Sequence, residues 1–368
     1  MFVDVIEFYF MGKPLVYDLS LPELKSLLVQ WNEPPYRGEQ IWKGIYQNFW
    51  KDPKDFSVLP LGLRNKLSVF FEFTPLRPIV ALRSKDGETS KTLFRLQDGK
   101  AIETVLMKYE PSASSPVGHS QGSRKKRHTL CISTQVGCAM GCVFCATGQM
   151  GFQRHLTSGE IIAQVMYFVH QLFLQREEIT NIVVMGMGEP FHNYDNTMSA
   201  IDQLNDSEGF NFGARRFTIS TVGLIPVIRQ FTCEKRQVNL AISLHAATND
   251  LRTTMLPVNK RYPLDELLEA CRDYTVATGR RITLEWALVN GINDTVDQAN
   301  ILSTKLKGML VHVNAIPLNP TSGFDGKVST NKKAKEFRDT LLMSGIPCTI
   351  RVKRGNDIKA GCGQLYVK

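Results

Sequence analysis

From Leu130 onward, short apolar runs rich in β-branched residues alternate with longer amphipathic stretches. The six runs are "LCIST" (Leu130 to Thr134), "NIVVMGMGEP" (Asn181 to Pro190), "RRFTIST" (Arg215 to Thr221), "VNLAISLH" (Val238 to His245), "RITLEWALV" (Arg281 to Val289) and "VHVNAIPLNP" (Val311 to Pro320). They do not alternate as a one-sided strand would, so they read as parallel strands buried on both faces. Between the first two lies "TSGEIIAQVMYFVHQLFLQ", where Thr157 and Glu160 form a capping box and Ile161, Val165, Phe168, Val169 and Leu172 make one helical face. Six such alternations predict an α/β fold, a partial (β/α)6 barrel.

The first third has other periods. "SLPELKSLLVQW" opens on Ser20 and Pro22 with Glu23 at the third helical position, a helix start. "YRGEQIWKGIYQNFW" spaces Ile41, Ile45 and its aromatics for a helix whose rings belong to a core more readily than to a base-stacking surface. "KTLFRLQDGKAIETVLMKY" has the alternation of a β-hairpin turning at Asp98-Gly99. The Ser-, Pro- and Gly-rich "EPSASSPVGHSQGSRKKRHT" that follows is a linker ending in Arg124-Lys125-Lys126-Arg127, which either touches phosphate or forms a solvated turn. These divisions predict three parts: a helical accessory domain over 1–76, a β-hairpin and basic linker over 77–129, and the barrel with its C-terminal tail over 130–368.

Composition narrows the class. The chain has 368 residues, 43% of them hydrophobic, and no apolar run near the length of a membrane span. Asp4 and Glu7 stand in the apolar N-terminus where a signal peptide would carry basic residues, so a cytoplasmic protein without a membrane role is expected. The 44 Lys and Arg exceed the 35 Asp and Glu, a net +9 that favours polyanions such as RNA but also fits a plain basic protein. Lys332, Lys333, Lys335 and the Arg351 to Arg354 stretch are candidate phosphate contacts.

All eight cysteines lie from Cys131 onward, which reads as metal or redox chemistry and not as disulfide stapling. Cys138, Cys142 and Cys145 are spaced C-x3-C-x2-C in a glycine-containing loop after the first strand. A structural zinc site closes with four ligands. Three thiolates suit an iron-sulfur cluster that leaves one iron open to an external ligand, against a zinc site completed by a distant histidine. Cys233, Cys271 and Cys348 fall outside any motif and read as structural.

This spacing resembles the radical S-adenosylmethionine superfamily. More closely, "CISTQVGCAMGCVFCATGQMGFQRHLTSGEI", "GMGEP", "RRFTISTVG", "SLHA", "MLPVNKRYPLDEL", "PLNP" and "RGNDIKAGCGQL" together resemble the RlmN/Cfr family of RNA adenine methyltransferases, from about Ser20 to the C-terminus. The resemblance implies that Cys138, Cys142 and Cys145 bind a [4Fe-4S] cluster. It implies that Gly188, Glu189, Ser220, Ser243, Leu244, His245 and Asn319 contact S-adenosylmethionine, two molecules of which are used per turnover. Cys362, between Gly361 and Gly363, matches the methyl-carrying cysteine. Cys131 matches its resolving partner through a transient Cys131–Cys362 disulfide, and Glu103 the proton acceptor. The implied substrates are 23S rRNA and tRNA, with a flavodoxin or ferredoxin as electron donor and a monomeric enzyme. Pro190 in "GMGEP" favours the adenine-C2 branch; the alternatives are Cfr-like C8 methylation, which confers antibiotic resistance, and a zinc-containing RNA-binding protein.

Overall fold

The computed structural model describes residues 12–109 and 126–366. The N-terminal apolar stretch and most of the basic linker lie outside the described residues. Ten strands form one open sheet. Three come from the hairpin region: β1 (Arg77–Arg83), β2 (Thr89–Arg95) and β3 (Ala101–Tyr109). A short pair, β5 (Gln135–Gly137) and β6 (Phe152–His155), stands apart. The rest are β4 (Arg127–Cys131), β7 (Asn181–Val184), β8 (Phe217–Thr221), β9 (Asn239–Ser243), β10 (Ile282–Leu288), β11 (Val311–Pro317) and β12 (Cys348–Ile350). Their order is β1-β2-β3-β4-β7-β8-β9-β10-β11-β12. From β4 to β12 every pairing is parallel, as the continuous apolar runs require. Helices between these strands complete a partial barrel with free edges at β1 and β12.

The six runs are all strands, and β12 is a seventh that the pattern did not predict. The hairpin is not a free appendage: β3 pairs antiparallel with β4, so the accessory strands extend the barrel sheet. Its turn forms where Asp98-Gly99 placed it, with Gly99 at φ +81°.

Both capping boxes are formed, at Ser20/Glu23 before Leu21–Gln30 and at Thr157/Glu160 before Ser158–Leu174. Asp18 reinforces the second helix start, its carboxylate accepting Gly159 N–H at 2.6 Å. In the helix Tyr36–Tyr46, Ile41, Trp42, Ile45 and Tyr46 are all buried, so these rings serve packing. Trp42 Nε1 donates to Asp206 Oδ2 at 2.8 Å, tying the N-terminal helices to the helix Tyr194–Asn205. No helix among the described residues is long and apolar enough to cross a membrane.

Candidate active site

Strand register gathers the site. Cys131 pairs with Val105 of β3 and Val183 of β7, and all three line one cavity at the C-terminal ends of the strands. Further along the sheet, Ser243 of β9 pairs with Glu285 of β10, and Glu285 with Asn314 of β11. The cavity has an interior volume of about 210 Å³ and opens to solvent at its mouth. Cys138, Cys142 and Cys145 share its wall with Cys131 and Cys362.

None of the triplet thiols is in a disulfide. Burial pushes Cys138 up to about 12 and raises Cys142 and Cys145; negative charge on Cys145 and Cys138 would raise Cys142 further. Two buried thiols and a half-buried third, whose thiolates would repel one another, fit a group that supplies compensating positive charge. Among the described residues, no three His, Cys, Asp or Glu side chains converge on a single-ion site.

Glu189 is buried, with Oε1 accepting Phe191 N–H and Oε2 accepting Val222 N–H, each at 2.9 Å. Desolvation still pushes its carboxyl up to about 7. Gly188 precedes it at φ +104°, where a Cβ would stand 2.6 Å from Gln135 Cβ; glycine is required there. Ser220 and Ser243 face each other across 3.3 Å between hydroxyl oxygens. Asn319 donates from Nδ2 to the Cys362 carbonyl at 3.1 Å, while its buried Oδ1 has no partner among the described residues. That orphaned acceptor, with the serine hydroxyls and Glu189, fits a polar ligand such as S-adenosylmethionine.

Of the predicted contacts, Gly188, Glu189, Ser220, Ser243, His245 and Asn319 line the cavity. Leu244 departs from the expectation. Its side chain is fully buried in the core, as strand alternation demands between two cavity-facing neighbours. Glu103 lies on the same face of β3 as Val105 but past the end of β4, outside the cavity lining, held by Lys91 and by the Tyr366 N–H. Cys362 is exposed at the loop tip. Cys271 and Cys348 are buried and Cys233 is exposed, all three away from the cavity.

His245 accepts Ala287 N–H on Nδ1 at 2.9 Å, which leaves its proton on Nε2. Burial, and then the charge of Arg252, push it down to about 3. It is neutral when folded but ionises near 6.5 when unfolded, so the folded state binds fewer protons. Stability is therefore lost as pH falls through 6.5, by about 1.4 kcal/mol per pH unit from this residue. His245→Gln should flatten the fall in thermal midpoint between pH 6.5 and about 4.5; an unchanged slope would assign the acid sensitivity elsewhere.

Several functional neighbours escaped the sequence reading. Arg351, expected on phosphate, turns into the cavity, where the positive charge favoured by Cys362 and Glu285 lies. Glu285 is a buried carboxylate held by Asn314 Nδ2 at 2.7 Å; its signal was a charge inside the otherwise apolar "ITLEWAL". Arg252 is fully buried, bonding the Val222, Ser243 and Leu244 carbonyls and Asn259 Oδ1. It thus ties together the loops after β8 and β9, and Asn259 of "MLPVNK" is its side-chain partner. On the outer helix Asn331–Met343, Lys332 pairs with Glu336 and Lys333 donates to Asn290 Oδ1 in the loop after β10.

A parallel sheet that delivers three unpaired cysteines to a cavity at its strand ends defines a radical S-adenosylmethionine enzyme, and the Radical SAM superfamily model matches residues 132–298. The Ribosomal RNA large subunit methyltransferase N-terminal domain matches 16–72. The chain is 46% identical to a protein named Dual-specificity RNA methyltransferase RlmN 1 from Myxococcus xanthus, over 95% of this chain and 93% of that one. It is 42% identical to a Ribosomal RNA large subunit methyltransferase N from Nitrosopumilus maritimus, over 95% and 97%. The crystal structure of a radical SAM methyltransferase from Sphaerobacter thermophilus superposes with a TM-score of 0.89 at 46% identity, covering 96% of this chain and 99% of that one. The chain belongs to the RlmN family of radical S-adenosylmethionine RNA methyltransferases, enzymes of a [4Fe-4S] cluster and S-adenosylmethionine.

Proposed function

We propose that this enzyme methylates C2 of one adenine in 23S rRNA and of an adenine in tRNA, with Cys362 as the methyl carrier. The observation that carries the reading is the meeting of Cys362, Cys131 and the cysteine triplet in one cavity. C2 of adenine is an electron-poor ring carbon with no nucleophilic lone pair, so direct methyl displacement fails there. A thiol that takes the methyl first, and presents it for radical activation, solves that problem.

Cys138, Cys142 and Cys145 hold the cluster, and Glu189, Ser220, Ser243, His245 and Asn319 hold S-adenosylmethionine. A cluster held there would supply, from a flavodoxin or ferredoxin, the electron for radical activation of the methyl group that Cys362 carries. Cys362, on a loop that Gly363 turns at φ +79°, takes a methyl from a first S-adenosylmethionine and offers it to the adenine. The odd-electron ring adduct would give one electron back to the cluster, and Glu103 accepts the ring proton. The Cys131 thiolate attacks Cys362 sulfur, the electron pair of the broken sulfur–carbon bond passes to the carbon, which takes a proton to become the methyl group, and the Cys131–Cys362 disulfide left behind is reduced by external thiols in the cytoplasm. The enzyme acts as a monomer, and residues 1–76 contact RNA outside the cavity, whose lining includes none of their described side chains. The target adenine leaves its stack to enter.

The test is anaerobic turnover on ribosomal RNA lacking the modification, with digested nucleosides compared by mass spectrometry with 2-methyl- and 8-methyladenosine. A 2-methyladenosine product is expected; 8-methyladenosine would overturn the regiochemistry.

A further inference from the structure

After β12 the chain crosses back to β2 and β3, and Cys362 lies on this returning segment. Lys85 N–H donates to Asp357 Oδ2 at 2.8 Å, and Arg354 pairs with Glu88. Lys91 Nζ donates to the Lys359 carbonyl at 3.1 Å, and Tyr366 N–H donates to Glu103 Oε2 at 2.9 Å. The last two contacts are one device, because Lys91 Nζ stands 2.7 Å from Glu103 Oε1. A single ion pair therefore grips the chain on both sides of Cys362, at Lys359 and at Tyr366.

Both side chains are buried, Lys91 at 7% exposure and Glu103 at 5%. Lysine is almost never buried so deeply unless paired. A buried pair adds little net stability, because desolvation offsets the attraction; fixing register is its better-attested use. Here the register is that of the tail against the sheet. Further bonds set the loop's depth: Ala146 N–H to the Gly363 carbonyl and Thr147 Oγ1 to the Leu365 carbonyl, both at 2.7 Å.

Resting on the reading of Cys362 as methyl carrier, we propose that Lys91 and Glu103 are positioning residues, a brace that sets where the Cys362 thiol stands in the cavity. The brace also covers the Glu103 carboxylate while the tail is docked. Proton acceptance by Glu103 then requires the Tyr366 flank to lift, which orders the steps: the loop is held for methyl loading and released after RNA has been joined.

The test uses the cluster-loaded enzyme under anaerobic conditions. In Lys91→Met, hydrogen exchange of amides over 359–366 should quicken roughly tenfold or more, with exchange in β7 to β11 unchanged. Methyl incorporation into the Cys362 peptide without RNA should slow by roughly 10- to 100-fold, the penalty of a misplaced reacting group. Lys91→Arg, which keeps charge and donors, should restore both in part. Should Lys91→Met not fold, the double variant Lys91→Met with Glu103→Gln removes the pair without stranding a buried charge and should loosen the same segment. Unchanged exchange over 359–366 would overturn the proposal, and so would equal loosening of the whole sheet. Exchange reads the brace whether or not Cys362 carries the methyl group, and RNA methylation by Cys362→Ala tests that reading separately.

Discussion

Cys362→Ala is expected to abolish RNA methylation while leaving the iron-sulfur absorbance intact. Loss of a covalent nucleophile is felt on a scale of roughly 10⁶ in turnover, so activity should fall to background. The fold should tolerate the change, since Cys362 is an exposed residue at the cavity and alanine removes only its sulfur. Its loop is held by main-chain groups: the Cys362 carbonyl accepts Asn319 Nδ2, and the Gly363 carbonyl accepts Ala146 N–H. Alanine keeps these bonds, and an exposed substitution of this kind shifts stability by about 0.5 kcal/mol or less. The triplet sits on a separate loop, so iron and sulfide content should match the parent enzyme. Methylation at the parent rate by this variant would sink the carrier mechanism, and loss of cluster would mean that the cysteine had a structural role.

Much of the fold was legible because local chemistry and global packing agree. Ser20 with Glu23 and Thr157 with Glu160 announce helix starts that form as written, and six apolar runs announce strands buried on both faces. β12 escaped because three residues, Cys348–Ile350, carry no period. β1 is exposed along its whole length, so no buried face marks it in the sequence. The site was legible where one loop or motif carries it: the triplet, Gly188-Glu189 and Gly361-Cys362-Gly363. It was illegible where its parts meet only in space. Lys91 and Glu103 are twelve residues apart in the chain and stand diagonally across a hairpin, Lys91 opposite Val105 and Glu103 opposite Leu93, yet nothing in the sequence shows that the tail docks on both of them. Arg351 follows the unforeseen β12, and without that strand nothing in the sequence turns it inward.

Cys131→Ala is expected to trap the enzyme joined covalently to RNA. Cys131 is half-buried at the end of β4, between Val105 and Val183, so alanine should fit at a modest stability cost of about 1 kcal/mol. Desolvation pushes its thiol up to about 12, and negative charge on nearby Cys362 raises it further, against the opposing charge of Arg351. The charge of Arg351 favours the thiolate form of Cys131, the form that attacks sulfur. Without Cys131 the Cys362–carbon bond has no thiol to break it, and a denaturing gel after anaerobic turnover should show up to one RNA per enzyme, retained through heating. Nuclease digestion should leave an adenosine-derived mass on the peptide that contains Cys362. Free methylated RNA formed at the parent rate by this variant would remove Cys131 from the release step.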